Sequence, residues 1–124
     1  MAEFYVILTD PVSGYVPCAE AAVQAGVPYL QLRMKDASME EVRRTARELR
    51  AVTRGSPTRF IVNDDLETAM DCDADGVHLG QSDLALEQAR ERWRAPGKIF
   101  GWSTHSEEQQ RRALELRPDY IGIG

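Results

Sequence analysis

Apolar residues in this chain fall into six short runs, each followed by an interval of helix length. The runs are Phe4 to Thr9, Tyr29 to Arg33, Arg59 to Asn63, Gly76 to Leu79, Lys98 to Trp102 and Tyr120 to Ile123. Such alternation predicts βα units joined by right-handed crossovers into a parallel sheet. The intervals carry helix signals of their own. Pro17 favours a start and Gly26 marks an end, with Ala19, Ala21, Ala22, Val23 and Ala25 giving a small-residue face that can lie close on a sheet. Ser38 stands three positions before Glu41, the capping-box spacing, and opens a helix from Met39 to about Thr53. Val42, Ala46 and Leu49 form its apolar stripe, and Glu40, Arg43, Arg44, Arg47, Glu48 and Arg50 read as a solvated face. Asp65 caps a short helix through Leu66, Ala69 and Met70, another runs from Leu84 to Trp93, and a last one begins after Ser106 and stops before Pro118.

Six strands and five helices in the α/β class fit two architectures. A doubly wound open sheet is one, but Thr9-Asp10-Pro11-Val12-Ser13-Gly14 stands where its Gly-x-Gly-x-x-Gly turn belongs. The other is a (β/α)8 TIM barrel, which needs about 200 residues or more. By length, residues 1–124 then hold the first six strands, as one domain forming the N-terminal three-quarters of a barrel.

Composition narrows the function classes. With 43% hydrophobic residues the chain can build a core, and a net charge of −5 argues against a general binder of nucleic acid or anionic membrane. No run approaches membrane-spanning length, and Phe4 to Leu8 is too short for a signal-peptide core and lacks a basic flank, which predicts a cytoplasmic protein. Cys18 and Cys72 lack metal-ligand spacing and are expected as reduced, half-buried thiols.

Parallel strands bring their C-terminal ends to one rim, where ligands bind. Gln31-Leu32-Arg33-Met34-Lys35-Asp36 ends the second strand, and alternation sends Gln31, Arg33 and Lys35 to one side and Leu32 and Met34 to the other. An amide and two cations would then face a phosphate-bearing ligand; alternatively, the cations pair with Asp36 and neighbouring acids. Asn63-Asp64 ends the third strand, as either a site or a helix cap. In His78-Leu79-Gly80-Gln81-Ser82-Asp83, Gly80 permits close backbone approach, His78 is a general acid or base or else a hydrogen-bonded core histidine, and Asp83 is a ligand or a cap. Asp64 and Asp83 on neighbouring loops suit Mg2+, which takes few protein carboxylates together with waters and phosphate. Gly101-Trp102-Ser103-Thr104-His105-Ser106 places hydroxyls ahead of a helix, an anion-binding position, without the Gly-x-Ser-x-Gly elbow of a serine nucleophile; Trp102 reads as packing.

These four motifs, in this order and spacing, resemble the thiamine-phosphate synthase family over essentially the whole chain. The resemblance implies a TIM barrel that joins a hydroxymethylpyrimidine diphosphate to a thiazole phosphate, giving thiamine phosphate and diphosphate. It implies that Gln31, Leu32, Arg33, Met34 and Lys35, mainly through Gln31, Arg33 and Lys35, bind the pyrimidine substrate and its diphosphate. Asn63 would touch the same substrate, Ser103 the diphosphate, and Asp64 and Asp83 would hold Mg2+. The implied chemistry is dissociative and uses no protein nucleophile. Met34 and Trp102 depart from the family pattern, which commonly has Glu and a small aliphatic there. The family's sixth strand leads into a loop bearing Thr and Lys and two more βα units, so the resemblance predicts a fragment of a longer protein, with open sheet edges that favour oligomerisation. Two other functions are kept in view: a thiazole tautomerase, against which Asp64 and Asp83 argue and for which His105 speaks, and a noncatalytic phosphate-ligand binder.

Overall fold

The computed structural model describes residues 5–80, 86–104 and 120–123. Six parallel strands, β1 (Tyr5–Leu8), β2 (Tyr29–Leu32), β3 (Arg59–Asn63), β4 (Gly76–Leu79), β5 (Ile99–Thr104) and β6 (Tyr120–Ile123), lie side by side in chain order. Between them run α1 (Tyr15–Ala25), α2 (Met39–Thr53), α3 (Leu66–Asp71) and α4 (Leu86–Arg92). The unbroken order decides between the two architectures. A doubly wound sheet reverses at a switch point, whereas strands laid down one after another are the winding of a (β/α)8 barrel.

The two faces of the sheet differ in chemistry. Leu30, Leu32, Phe60, Val62, Val77, Leu79, Phe100 and Trp102 pack with Ala19 and Ala22 of α1, Ala46 and Leu49 of α2, Leu66 and Ala69 of α3, and Leu86 and Ala89 of α4. This is the core, and it lies on the helix side. Alternate positions (Tyr5, Ile7, Tyr29, Gln31, Ile61, Asn63, Gly76, His78, Ile99, Gly101 and Ser103) belong to the other, inner face. Gly76 is small because β5 is close. A Cβ there would lie 2.3 Å from the Ile99 carbonyl oxygen and 2.9 Å from Ile61 Cδ1.

Helix boundaries follow their caps. Ser38 Oγ accepts from the Glu41 N–H at 3.2 Å, Asp65 Oδ1 accepts from the Glu67 N–H at 3.2 Å, and Gly26 closes α1 in the left-handed region with φ 73°. The helix α1 begins at Tyr15 rather than Pro17; Pro17 sits in the first turn, where an N–H has no intrahelical partner to lose. The expected helix after Ser106, and the start of the helix expected at Leu84, lie outside the described residues.

The solvated face expected on α2 needs correction. Arg50 has a side chain only 13% exposed, and its Nη1 donates to Asp75 Oδ2 at 3.1 Å. The same carboxylate oxygen accepts from the Phe60 N–H at 2.7 Å, so the guanidinium ties α2 to the entry of β3 and β4. Arg43 is half-buried as well, and Arg47 pairs with Asp71 of α3. Charge alternation along the helix does not reveal that α3 and the β4 entry supply acids opposite these arginines. Nearby, Lys98 Nζ donates to Asp73 Oδ1 and to the Ala74 carbonyl, both at 2.8 Å, and Thr58 Oγ1 donates to the Val27 carbonyl at 2.7 Å. All these bonds fasten the N-terminal end of the strands.

Cys18 and Cys72 are free thiols. Cys72 is fully rather than half buried, and burial pushes its thiol up to about 11. No helix among the described residues is long and apolar enough to cross a membrane.

Candidate functional site at the C-terminal rim

Because all six strands run the same way, the rim formed by their C-terminal ends collects the polar side chains of the inner face. Gln31 lies in register with Ile61 and, one row further up, Asn63 stands opposite His78, which stands opposite Gly101. Ser103 follows two residues along β5. His78 Nε2 and Ser103 Oγ are 2.5 Å apart, and both residues are half-buried. Gln31, Asn63, His78 and Ser103 therefore share one face near one end of the sheet.

Gln31 is 2% exposed, and its amide Nε2 donates to the Tyr5 hydroxyl at 2.9 Å. Tyr5 in turn stacks on Tyr29 with ring centroids 5.5 Å apart. This anchor was not picked out from the sequence, where Tyr5 counted only as part of an apolar strand. The signal available was phase: Tyr5, opposite Tyr29, and Gln31, opposite Ile7, lie on the same inner face as diagonal neighbours on adjacent strands.

The β2 exit places its residues as alternation predicts. Leu32 is 1% exposed and Met34 packs against the same helix-side core. Both side chains thus point away from the inner face, so any contact they make with a ligand at the rim runs through their backbone. Arg33 is half-buried, and its N–H extends the ladder by donating to the Leu8 carbonyl at 3.0 Å; Lys35 is exposed. Among the described residues neither cation makes an ion pair, so the pairing with Asp36 and neighbouring acids weighed above is not realised.

Three aspartates turn the chain at this rim. Asp10, Asp36 and Asp64 follow β1, β2 and β3 with φ of 44°, 57° and 68°, in the left-handed region that Asp and Asn tolerate better than most residues. After β1 the turn is tied by Tyr15, whose hydroxyl accepts from the Asp10 N–H at 2.9 Å and donates to Asp10 Oδ1 at 3.2 Å; burial raises its pKa. Asp64 is held through its N–H, which donates to the His78 carbonyl at 2.8 Å, while its residue is exposed at the rim. The cap of α3 is Asp65, whose Oδ2 also accepts from Thr68 Oγ1, so Asn63 and Asp64 are not used in capping. Trp102 packs in the core, with Nε1 donating to the Gly80 carbonyl at 3.4 Å. Gln81, Ser82, Asp83, His105 and Ser106 lie outside the described residues. Among the described residues no group of three or more His, Cys, Asp or Glu side chains converges.

The model of the family described as thiamine monophosphate synthase matches residues 4–124. The chain belongs to the thiamine monophosphate synthase family. A thiamine-phosphate synthase of Lawsonia intracellularis is 36% identical over 126 residues, covering 99% of this chain and 58% of that protein. One from Synechocystis is 40% identical over 118 residues, covering 95% of this chain and 34% of that protein. The solved thiamine phosphate pyrophosphorylase from Pyrococcus furiosus superposes with a TM-score of 0.85 at 36% identity, over 98% of this chain and 59% of that one. The chain thus spans about a third to three-fifths of the length of these family members.

Proposed function

We propose that the protein to which this chain belongs is a transferase that condenses a hydroxymethylpyrimidine diphosphate with a thiazole phosphate, forming thiamine phosphate and releasing diphosphate. The reading rests on one observation above all: Arg33 and Lys35 stand without ion-pair partners among the described residues, beside an inner-face row of Gln31, Asn63, His78 and Ser103. Elsewhere in the fold Arg47, Arg50 and Lys98 are each matched to an acid. Cations kept at a strand-end rim without an ion-pair partner suit a ligand that brings its own negative charge.

In this reading Gln31 and Asn63 orient the pyrimidine, with the Gln31 amide fixed by Tyr5. Arg33, Lys35 and the Ser103 hydroxyl take the diphosphate oxygens, and the backbone of Leu32 and Met34 lines the same segment. Asp64, with Asp83 as its partner, would hold Mg2+, which supplies positive charge to a diphosphate when bound. The C–O bond to diphosphate breaks with its electron pair leaving on oxygen, and the thiazole nitrogen lone pair forms the new C–N bond at the pyrimidine methylene. The protein's cations stabilise the departing charge, and no side chain is covalently modified. Residues 1–124 would act as one structural unit within the barrel, and the free thiols Cys18 and Cys72 suit a reducing cytoplasm.

The test is to incubate the natural full-length protein with both substrates, with and without Mg2+, and follow thiamine phosphate by chromatography. Mg2+-dependent product is expected. Isomerisation of a thiazole substrate without coupling, or binding of both substrates without any product, would overturn the transferase reading.

A further inference from the structure

The N-terminal end of the sheet carries an open cavity of about 560 Å3. It is lined by Arg50 of α2, by Ser56 and Arg59 of the turn into β3, and by Asp75 and Gly97 ahead of β4 and β5. That volume is ordinary for a small-molecule site. The cavity is remote from the rim: β3 begins at Arg59 and ends at Asn63, and four steps of about 3.3 Å separate the two by roughly 13 Å.

Two arginines of α2 show one chemical group in two states. Arg47 gives its side-on edge to both oxygens of Asp71, from Nε at 2.8 Å and from Nη2 at 3.0 Å, the fork that fits a pair of anionic oxygens. Arg50 meets Asp75 through Nη1 alone, and its Nε is buried with no hydrogen-bond partner among the described residues. A buried donor without an acceptor weakens the fold, and an oxyanion in the cavity supplies the acceptor. Arg59 is exposed on the same cavity and makes no ion pair among the described residues. Since Arg50 and Asp75 offset each other, Arg59 leaves the cavity positive. Acceptors are present as well. Ser56 Oγ gives its hydrogen to the Thr53 carbonyl at 2.7 Å and takes the Thr58 N–H at 3.2 Å, so a lone pair is what it has left to offer. Asp75 uses Oδ2 for both Arg50 and the Phe60 N–H, and its Oδ1 makes no hydrogen bond among the described residues.

We propose that this cavity is a second, noncatalytic site for a small hydroxylated phosphate ester. The phosphate takes the side-on edge of Arg50, turned toward the cavity about its bond to Asp75, and the Arg59 guanidinium. The ligand's hydroxyls donate to Asp75 Oδ1 and Ser56 Oγ. A carboxylate has two oxygens, which the Arg50 fork alone would fill, whereas a phosphate keeps a third for Arg59. The site stands whether or not the transferase reading holds.

Backbone amide NMR of the natural full-length protein tests it, because Gly55, Ser56 and Gly97 report on the cavity and not on the rim. Glycerol phosphate is expected to shift these amides saturably, and inorganic phosphate, which lacks the hydroxylated body, to need a higher concentration. Arg59→Gln should weaken the glycerol phosphate midpoint by about 10-fold or more, the size of a hydrogen bond to a charged group. Its melting temperature without ligand should match the wild type, since Arg59 is exposed. Arg33→Gln at the rim should leave the cavity midpoint where it was. Absent shifts, a midpoint indifferent to Arg59→Gln, or one that moves with Arg33→Gln would overturn the site. Equal midpoints for the two probes would reject the ligand class assigned to it.

Discussion

The two ends of the sheet are both polar, and they use polarity in opposite ways. At the N-terminal end Arg50, Asp75, Lys98 and Thr58 meet protein partners from other elements: Arg50 with Asp75, Asp75 with the Phe60 N–H, Lys98 with Asp73, Thr58 with the Val27 carbonyl. At the C-terminal rim Arg33 and Lys35 form no ion pair among the described residues, and Gln31, Asn63, His78 and Ser103 line up on one face. The first end spends its charges on holding strands together. The second keeps them where a ligand can reach, as expected when barrel sites sit at the C-terminal face and stability at the other. A polar cluster by itself is therefore no sign of a site; the partners of its charges tell the two apart.

If this division holds, damage at the two ends should separate cleanly. The largest effect is expected for Asp64→Asn, which keeps the left-handed backbone that Asn accepts but removes the carboxylate: turnover of the full-length protein should fall by about 100-fold, with the melting temperature unchanged. A variant with near-wild-type rates would take Asp64 out of the reaction. Next comes Asp75→Ala at the opposite end, which strips Arg50 and the Phe60 N–H of their shared acceptor. A loss of about 2 kcal/mol is expected, discounted from a fully buried pair because Asp75 is partly exposed, with substrate affinity and low-temperature turnover preserved. Chemical denaturation measures it, and a change in KM without a change in stability would undo the comparison. The smallest effect belongs to Lys98 and Asp73. The hydrogen bond from Lys98 is the main cause that holds the Asp73 carboxyl below its ordinary 3.8, so its stabilisation is present above that pH and is lost as the pH falls through the lowered value. Since Asp73 is largely exposed, the advantage of the wild type over Asp73→Asn at pH 7 should be less than about 1 kcal/mol. It should fade below about pH 3.8 in urea melts repeated across pH. An advantage that grows toward acid would reverse the sign assigned here.

Much of this was readable before any coordinates. Strands β3, β4 and β6 run between the residues that bound their apolar runs, and α2 runs from Met39 to Thr53 as the Ser38 cap and its apolar stripe predict, because caps and periodicity act locally. The split of Gln31 from Leu32 and Met34 was legible too, since a strand's period of two leaves no other choice. What local pattern could not reach were meetings across the chain. Arg50 looked solvated because its acid, Asp75, lies 25 positions away, and Tyr5 looked like plain apolar strand until the register with β2 brought it to the Gln31 amide. The strand order was equally hidden, since βα alternation precedes both a doubly wound sheet and a barrel.

That order has a consequence for how the molecule forms. Among the described residues each strand after the first pairs with the one before it, and no ladder joins positions more than about 30 residues apart, the widest being Tyr29 with Arg59. Closing each such loop costs little chain entropy, and a parallel sheet, ordinarily slow to assemble because its pairings are distant, is here within reach of sequential growth. Each of these βα units can dock on its finished predecessor as it emerges from the ribosome.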